Sequence, residues 1–227
     1  MPTWLRSALW DVVPRDHRQG EAGLRRRQLV TAGFVVLGGI VLGVSLRIEP
    51  GSEWFYPATL VLAAVWTVGA VASGPLHLGR IGTAAGLRRP VLIPMAIGFG
   101  LAAVFVVGAL LVRELPFLYD EVREVTAHAA QGSWPLLVLV TTVNGVAEEL
   151  FFRGAAYAAI PVHPVLWTTI AYGVATLATG NVMLAFAALL LGAVVGLERR
   201  ASGGVLAPVL THLTWSLTML FALPALF

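Results

Sequence analysis

Long apolar runs decide the class of this chain. Stretches of about 18 or more apolar residues recur along its 227 positions, and a helix of that length crosses most of the roughly 30 Å hydrocarbon core of a bilayer. The runs are continuous rather than alternating, which argues against a membrane β-barrel. Only 12% of the residues are charged, against about 25% in soluble domains, and the mean hydropathy is +0.83. The expectation is an all-α, polytopic helical membrane protein with about seven transmembrane helices. They are placed at roughly 28–46, 56–73, 91–112, 134–158, 164–179, 182–197 and 204–223, the fifth and sixth forming a hairpin turned at Gly180-Asn181.

Residues 1–27 read as a cytoplasmic or interfacial segment ahead of one integral domain, 28–227. Within it, Trp4, Leu5, Ala8, Leu9, Val12 and Val13 recur at helical spacing up to Pro14, as in a short helix lying on the membrane surface. A partly ordered tail is the alternative. A cleaved signal peptide does not fit, because no small-residue cleavage site follows and further spans do. All 15 basic side chains are arginine. Arg15, Arg18, Arg25–Arg27, Arg80, Arg88, Arg89, Arg199 and Arg200 fall in segments that the seven-span scheme puts on one side. The positive-inside rule makes that side cytoplasmic, with the N-terminus inside and the C-terminus outside. The opposite loop, 113–132, carries Glu114, Asp120, Glu121 and Glu124. Arginine beside membrane spans points to anionic lipid and topology rather than nucleic acid. Absent cysteine excludes disulfides, thiolate metal sites and a cysteine nucleophile. The Ala-, Gly-, Val- and Leu-rich, lysine-free composition suggests a bacterial source and a cell-membrane location.

Ionisable residues within apolar runs are costly and usually face a cavity or partner. The fourth run contains Glu148-Glu149-Leu150-Phe151-Phe152-Arg153. Glu149 and Arg153 are four apart and share a helical face, placed for an ion pair. Glu148 is turned about 100° away, without a nearby cation, which suits proton transfer. Asn144 lies one turn before Glu148, within reach of it or of a shared water. A span ending at Phe152 would make the hexad a salt bridge at the interface. The apolar continuation from Gly154 to Ile160 instead carries it inward. The last run adds His212 and Ser216, again four apart; a lone membrane histidine more often joins helices by hydrogen bonding than catalyses.

Glu-Glu-x-x-x-Arg-Gly at 148–154, and a histidine at 212 with a polar residue four on, resemble motifs of the CPBP intramembrane proteases. That family contains the CAAX prenyl endopeptidases and the bacterial Abi, or bacteriocin-immunity, proteins. Ser202-Gly203-Gly204-Val205-Leu206-Ala207-Pro208 before His212 resembles the family's approach to its last motif, and the similarity covers about 134–220. The resemblance implies a glutamate-dependent peptidase, with a peptide or membrane-protein substrate; no cofactor and no metal are expected. Carried over, Glu148 activates water, His212 stabilises the oxyanion, and Glu149 and Arg153 hold the geometry. The family's second motif is Phe-x-x-x-His; here Tyr172 to Thr176 aligns with it, and Thr176 stands in place of the histidine. Ser216 stands where asparagine is usual and can still donate one hydrogen bond. His163 reads as a surface-loop residue between Pro161 and Pro164.

Three outcomes follow: a slow glutamic peptidase, a site rebuilt around Tyr172, Thr176 or Asn144, or a degenerate member that binds without cutting, as a scaffold or immunity-type partner. Zinc catalysis calls for about three protein ligands, and only Glu148 and His212 remain once Glu149 is committed to Arg153. A proton-linked transporter also accounts for a membrane carboxylate, but no internal repeat or Pro-broken pair of spans is visible.

Overall fold

A computed structural model describes residues 1–14 and 19–227. Arg15 and Arg18 of the expected basic segment lie outside the described residues. The described chain folds as α1 (Thr3–Leu9), α2 (Glu21–Ser45), α3 (Phe55–Ser73), a hairpin of β1 (Ile81–Thr83) and β2 (Gly86–Arg88), α4 (Leu92–Val112) and α5 (Pro116–Gln131). It continues as α6 (Trp134–Glu149), a π-helical stretch (Leu150–Ala156), α7 (Tyr157–Ala159), α8 (Pro164–Leu177), α9 (Val182–Ser202) and α10 (Leu206–Ala222). The short strands pair antiparallel, Gly82 opposite Leu87. The protein is a polytopic helical membrane protein.

Six helices among the described residues are long and apolar enough to cross a membrane: α2, α3, α4, the continuous α6–α7 rod from Trp134 to Ala159, α9 and the α10 segment to Ala225. The fifth expected span is shorter than the other six. Its helix, α8, has 14 residues, about 21 Å at 1.5 Å per residue, short of a full bilayer core. It nevertheless joins the two ends of the bundle. Its start follows Ala159, whose carbonyl accepts from Gln28 near the beginning of α2 (3.1 Å). Its far end reaches Ala178, packed on Gly43 near the end of α2. Asn181 then donates to the Glu121 carbonyl of α5 at 2.7 Å.

The connections accordingly gather at two ends. At one lie α1, the β-hairpin and the α9–α10 junction: Val13 N–H donates to Ala201 and Arg80 N–H to Ser202 (3.1 and 2.9 Å). At the other lie the α2–α3 connection, α5 and the C-terminus: His128 Nε2 bonds Ile48 O at 3.0 Å, and the Tyr119 and Phe227 rings meet at a tilt, 5.3 Å between centres.

Three further boundaries differ from expectation. α2 begins at Glu21 and takes in Arg25–Arg27, because arginine is a good helix former and nothing breaks the turn before Val30. The acidic 113–132 loop contains α5, started by Pro116 in its first turn. The N-terminal helix docks on the protein: Ala8 and Val13 are buried, and Arg200 donates to the Leu9 carbonyl.

The ends of α9 are set by local chemistry. Asn181 Oδ1 caps its start by accepting Leu184 N–H at 2.9 Å. Gly203 ends it in the left-handed region at φ 73°. At the centre of the bundle, Trp66 of α3 is 1% exposed. Its ring lies 4.7 Å from Phe151 and 5.1 Å from Phe152, and Gly38 of α2 leaves the room the indole fills. This cluster fixes the rod that carries the hexad.

Candidate active site

The hexad straddles a change of helix type. α6 ends at Glu149, and Leu150–Ala156 form a π-helix, where an α-helix was expected throughout. A π stretch widens the turn by one residue and recurs at functional sites. Here it turns Phe151, Phe152 and Ala155, each 0% exposed, into the aromatic core, and leaves the carboxylates at its start facing α8 and α10.

Glu149 and Arg153 are both fully buried and pair as the spacing indicated, Arg153 Nη1 to Glu149 Oε1 at 3.1 Å. The guanidinium carbon also lies 4.9 Å from the Tyr172 ring centre and 5.9 Å from that of Phe152, a setting that suits a delocalised cation. The main chain fastens the same turn, because the Arg153 carbonyl accepts from Arg199 Nε at 2.6 Å.

His212 departs from the carried-over picture in its contact. Its Nδ1 lies 2.8 Å from Glu149 Oε1, so α10 is tied to the Glu149–Arg153 pair rather than to Glu148. With Glu149 ionised, Nδ1–H is the donor, and Nε2 is left as the ring's second functional atom, near Gly145. Nε2 accepts in a neutral ring and donates in an imidazolium.

Glu148 is half-buried and takes its hydrogen bond from α8: Tyr172 O–H donates to Glu148 Oε2 at 2.5 Å. Tyr172 occupies the aromatic position of the second motif, where the family pattern has phenylalanine. Its hydroxyl is thus the feature that distinguishes this chain, and the signal was present in the sequence beside Thr176. Thr176 is buried, but its hydroxyl turns back onto the Tyr172 carbonyl (2.9 Å). Ser216 likewise bonds its own helix, Oγ to the Leu213 carbonyl at 3.4 Å. Neither reaches Glu148 by a hydrogen bond among the described residues. Asn144 donates to Val140 O, and His163 is exposed before α8 with φ 51°.

Several buried polar atoms around these residues have no hydrogen-bond partner among the described residues: Asn144 Oδ1, Glu149 Oε2, Arg153 Nε and Nη2, Thr169 Oγ1 and Trp215 Nε1. Such atoms are uncommon in folded proteins. Their concentration around one carboxylate suits a site that handles water and a polar substrate.

Sequence reasoning passed over Glu198. It reads as a helix-end charge before Arg199-Arg200, but it is 0% exposed and bonds Thr211 at 2.8 Å. Thr211, the residue before His212, also bonds the Pro94 carbonyl. This contact fixes α10 against α4 and α9 and so positions the histidine.

No curated protein and no solved structure matches the chain. A family profile does match residues 130–218, described as type II CAAX prenyl endopeptidase Rce1-like. The matched stretch includes every member of the arrangement above, from Asn144 to Ser216, while α1 to α4 lie outside it. Over residues 130–218 the chain is therefore similar to the Rce1-like type II CAAX prenyl endopeptidases.

Proposed function

We propose that the protein is an intramembrane endopeptidase that hydrolyses a peptide bond of a peptide or membrane-protein substrate with a water activated by Glu148. The observation that carries this reading is the placement of Glu148. A half-buried carboxylate with no salt-bridge partner among the described residues is held by Tyr172, next to a second carboxylate already committed to Arg153 and His212. Water adds to the carbonyl carbon as Glu148 takes its proton. The oxyanion is met by His212 Nε2–H in the imidazolium form, whose charge Glu149 balances through Nδ1. Glu148 then returns the proton to the departing amine nitrogen as the C–N bond breaks. Tyr172 orients the carboxylate that a second-motif histidine would otherwise share. The arginine-rich end is the cytoplasmic side by the positive-inside rule, and the substrate enters from there.

The test compares cleavage of a membrane substrate by the purified parent and by Glu148→Gln. Loss of one general base is worth about 10²–10⁴ in rate, and equal turnover in both would sink the reading. A second reading, a degenerate member that binds without cutting, is favoured by Thr176, whose hydroxyl is engaged by its own helix. It predicts an inert parent that gains cleavage on Thr176→His.

A further inference from the structure

At the end of the bundle bearing α1 and the β-hairpin, Arg6 pairs with Asp11, whereas three other described arginines are bonded to carbonyl oxygens. Arg26 donates to Ala72 O and Arg27 to Pro75 O, each at 3.3 Å, and Arg89 donates to Gly79 O at 2.7 Å. A carbonyl satisfies a donor without balancing its charge. Arg27 is the sharpest case: it is 3% exposed, and its Nε and Nη1 have no hydrogen-bond partner among the described residues. A desolvated guanidinium without a counter-ion is costly.

Arg27 packs beneath the connection from Gly74 to Arg80. The outer side of that connection walls a cavity of about 490 Å³, closed by Pro14, Leu87 and the Ser202–Gly203 turn, with Arg80 and Arg89 lining it. Both arginines are exposed, in the connection between two helices long and apolar enough to cross a membrane, α3 and α4. His77 also lines the cavity. Burial, and then the charges of Arg199 and Arg27, hold its imidazole below the ordinary value. The wall is rigid: Val205 and Leu206 N–H donate to the His77 and Leu78 carbonyls at 2.8 and 3.1 Å. Gly79, at φ 81°, meets the Gly204 main chain where no side chain fits.

We propose that this cavity is a phosphate-recognition site, filled in the membrane by the headgroup phosphate of an acidic phospholipid, with Arg80 and Arg89 as direct ligands and Arg27 supplying charge from behind the 74–80 connection. Phosphate suits it because guanidinium forks bind tetrahedral oxyanions by paired hydrogen bonds, and anionic lipids concentrate beside basic membrane-flanking segments.

The full chain in detergent is mixed with phosphatidylglycerol or phosphatidylcholine, and retained lipid is counted by native mass spectrometry. The expected result is preferential retention of phosphatidylglycerol, falling about fivefold for each of Arg80→Ser and Arg89→Ser, with unchanged melting temperature. Competition by millimolar inorganic phosphate would show that free phosphate uses the same site; no competition would show that the lipid is its only occupant, and both agree with the assignment. An Arg25→Ser, Arg88→Ser pair, neither lining the cavity, keeps the preference. Equal loss in that pair, or equal retention of both lipids by the parent, would overturn the proposal.

Discussion

Replacing Arg153 by methionine tests the centre of the site. The side chain volume is roughly kept, and methionine can still lie against Phe152 and Tyr172. The charge opposite Glu149 is lost. At the observed 3.1 Å, two unit charges interact by about 5 kcal/mol at an effective dielectric of 20. Breaking one member out of a buried pair costs about 3–5 kcal/mol in practice, since it strands the other charge. His212 keeps its contact at 2.8 Å, so the lower end, about 3 kcal/mol, is expected. The double change Arg153→Met, Glu149→Gln removes the stranded charge and retains an acceptor for His212 Nδ1, so it should recover at least half of that loss. Unfolding of purified protein in mixed micelles, followed by helical circular dichroism, reads all four corners of the cycle. A single mutant within about 1 kcal/mol of the parent would refute the argument, because a pair this buried cannot be dispensable. Additive destabilisation in the double mutant would refute it equally, since it would mean the two side chains do not act on each other.

Two other expectations are independent of that pair. Tyr172→Phe removes the donor to Glu148 and leaves the ring over Arg153. Hydrolysis should fall by about tenfold to a hundredfold, the worth of a hydrogen bond to a charged group, while stability in the same micelles changes little; full activity would deny Tyr172 a positioning role. His77 gives a pH dependence. Its folded-state value lies below the ordinary 6.5, so between the two values the unfolded chain binds more protons, and stability rises with pH. The melting temperature should drop as pH falls through about 6.5, and less so in His77→Gln; an equal drop in both would remove His77 as the cause.

Some of this molecule could be read from its residues and some could not. Apolar runs announced α2, α3, α4, α6, α9 and α10 because the bilayer's thickness sets a length that composition alone can match. α8 defeated that rule: its 14 residues continue into an apolar turn, and composition does not record where a helix stops. α5 was hidden for the opposite reason, since its acidic residues look like a solvated loop until Val122, Thr126 and Ala129 are seen buried along one side. Within the site, the i, i+4 relation of Glu149 and Arg153 is local and was legible. The contacts of His212 with Glu149 and of Tyr172 with Glu148 join residues on different helices. They depend on how α6 meets α10 and α8, and the π stretch that sets this meeting leaves no periodic mark. Glu198 was passed over on the same ground, because nothing local in the sequence shows that Thr211 is brought against it.

The packing of Trp66 has a consequence for where this protein begins and ends as a folding unit. The region sharing family resemblance starts at residue 130, yet Phe151 and Phe152 are sealed by an indole from α3, and Thr211 leans on a carbonyl of α4. Expressed alone, residues 130–218 would present those rings and that hydroxyl to lipid, and the carboxylates beside them would lose their shelter. Helices without any motif thus act as the mould in which the motifs set. Swapping them between relatives should cost more than their lack of recognisable residues would suggest.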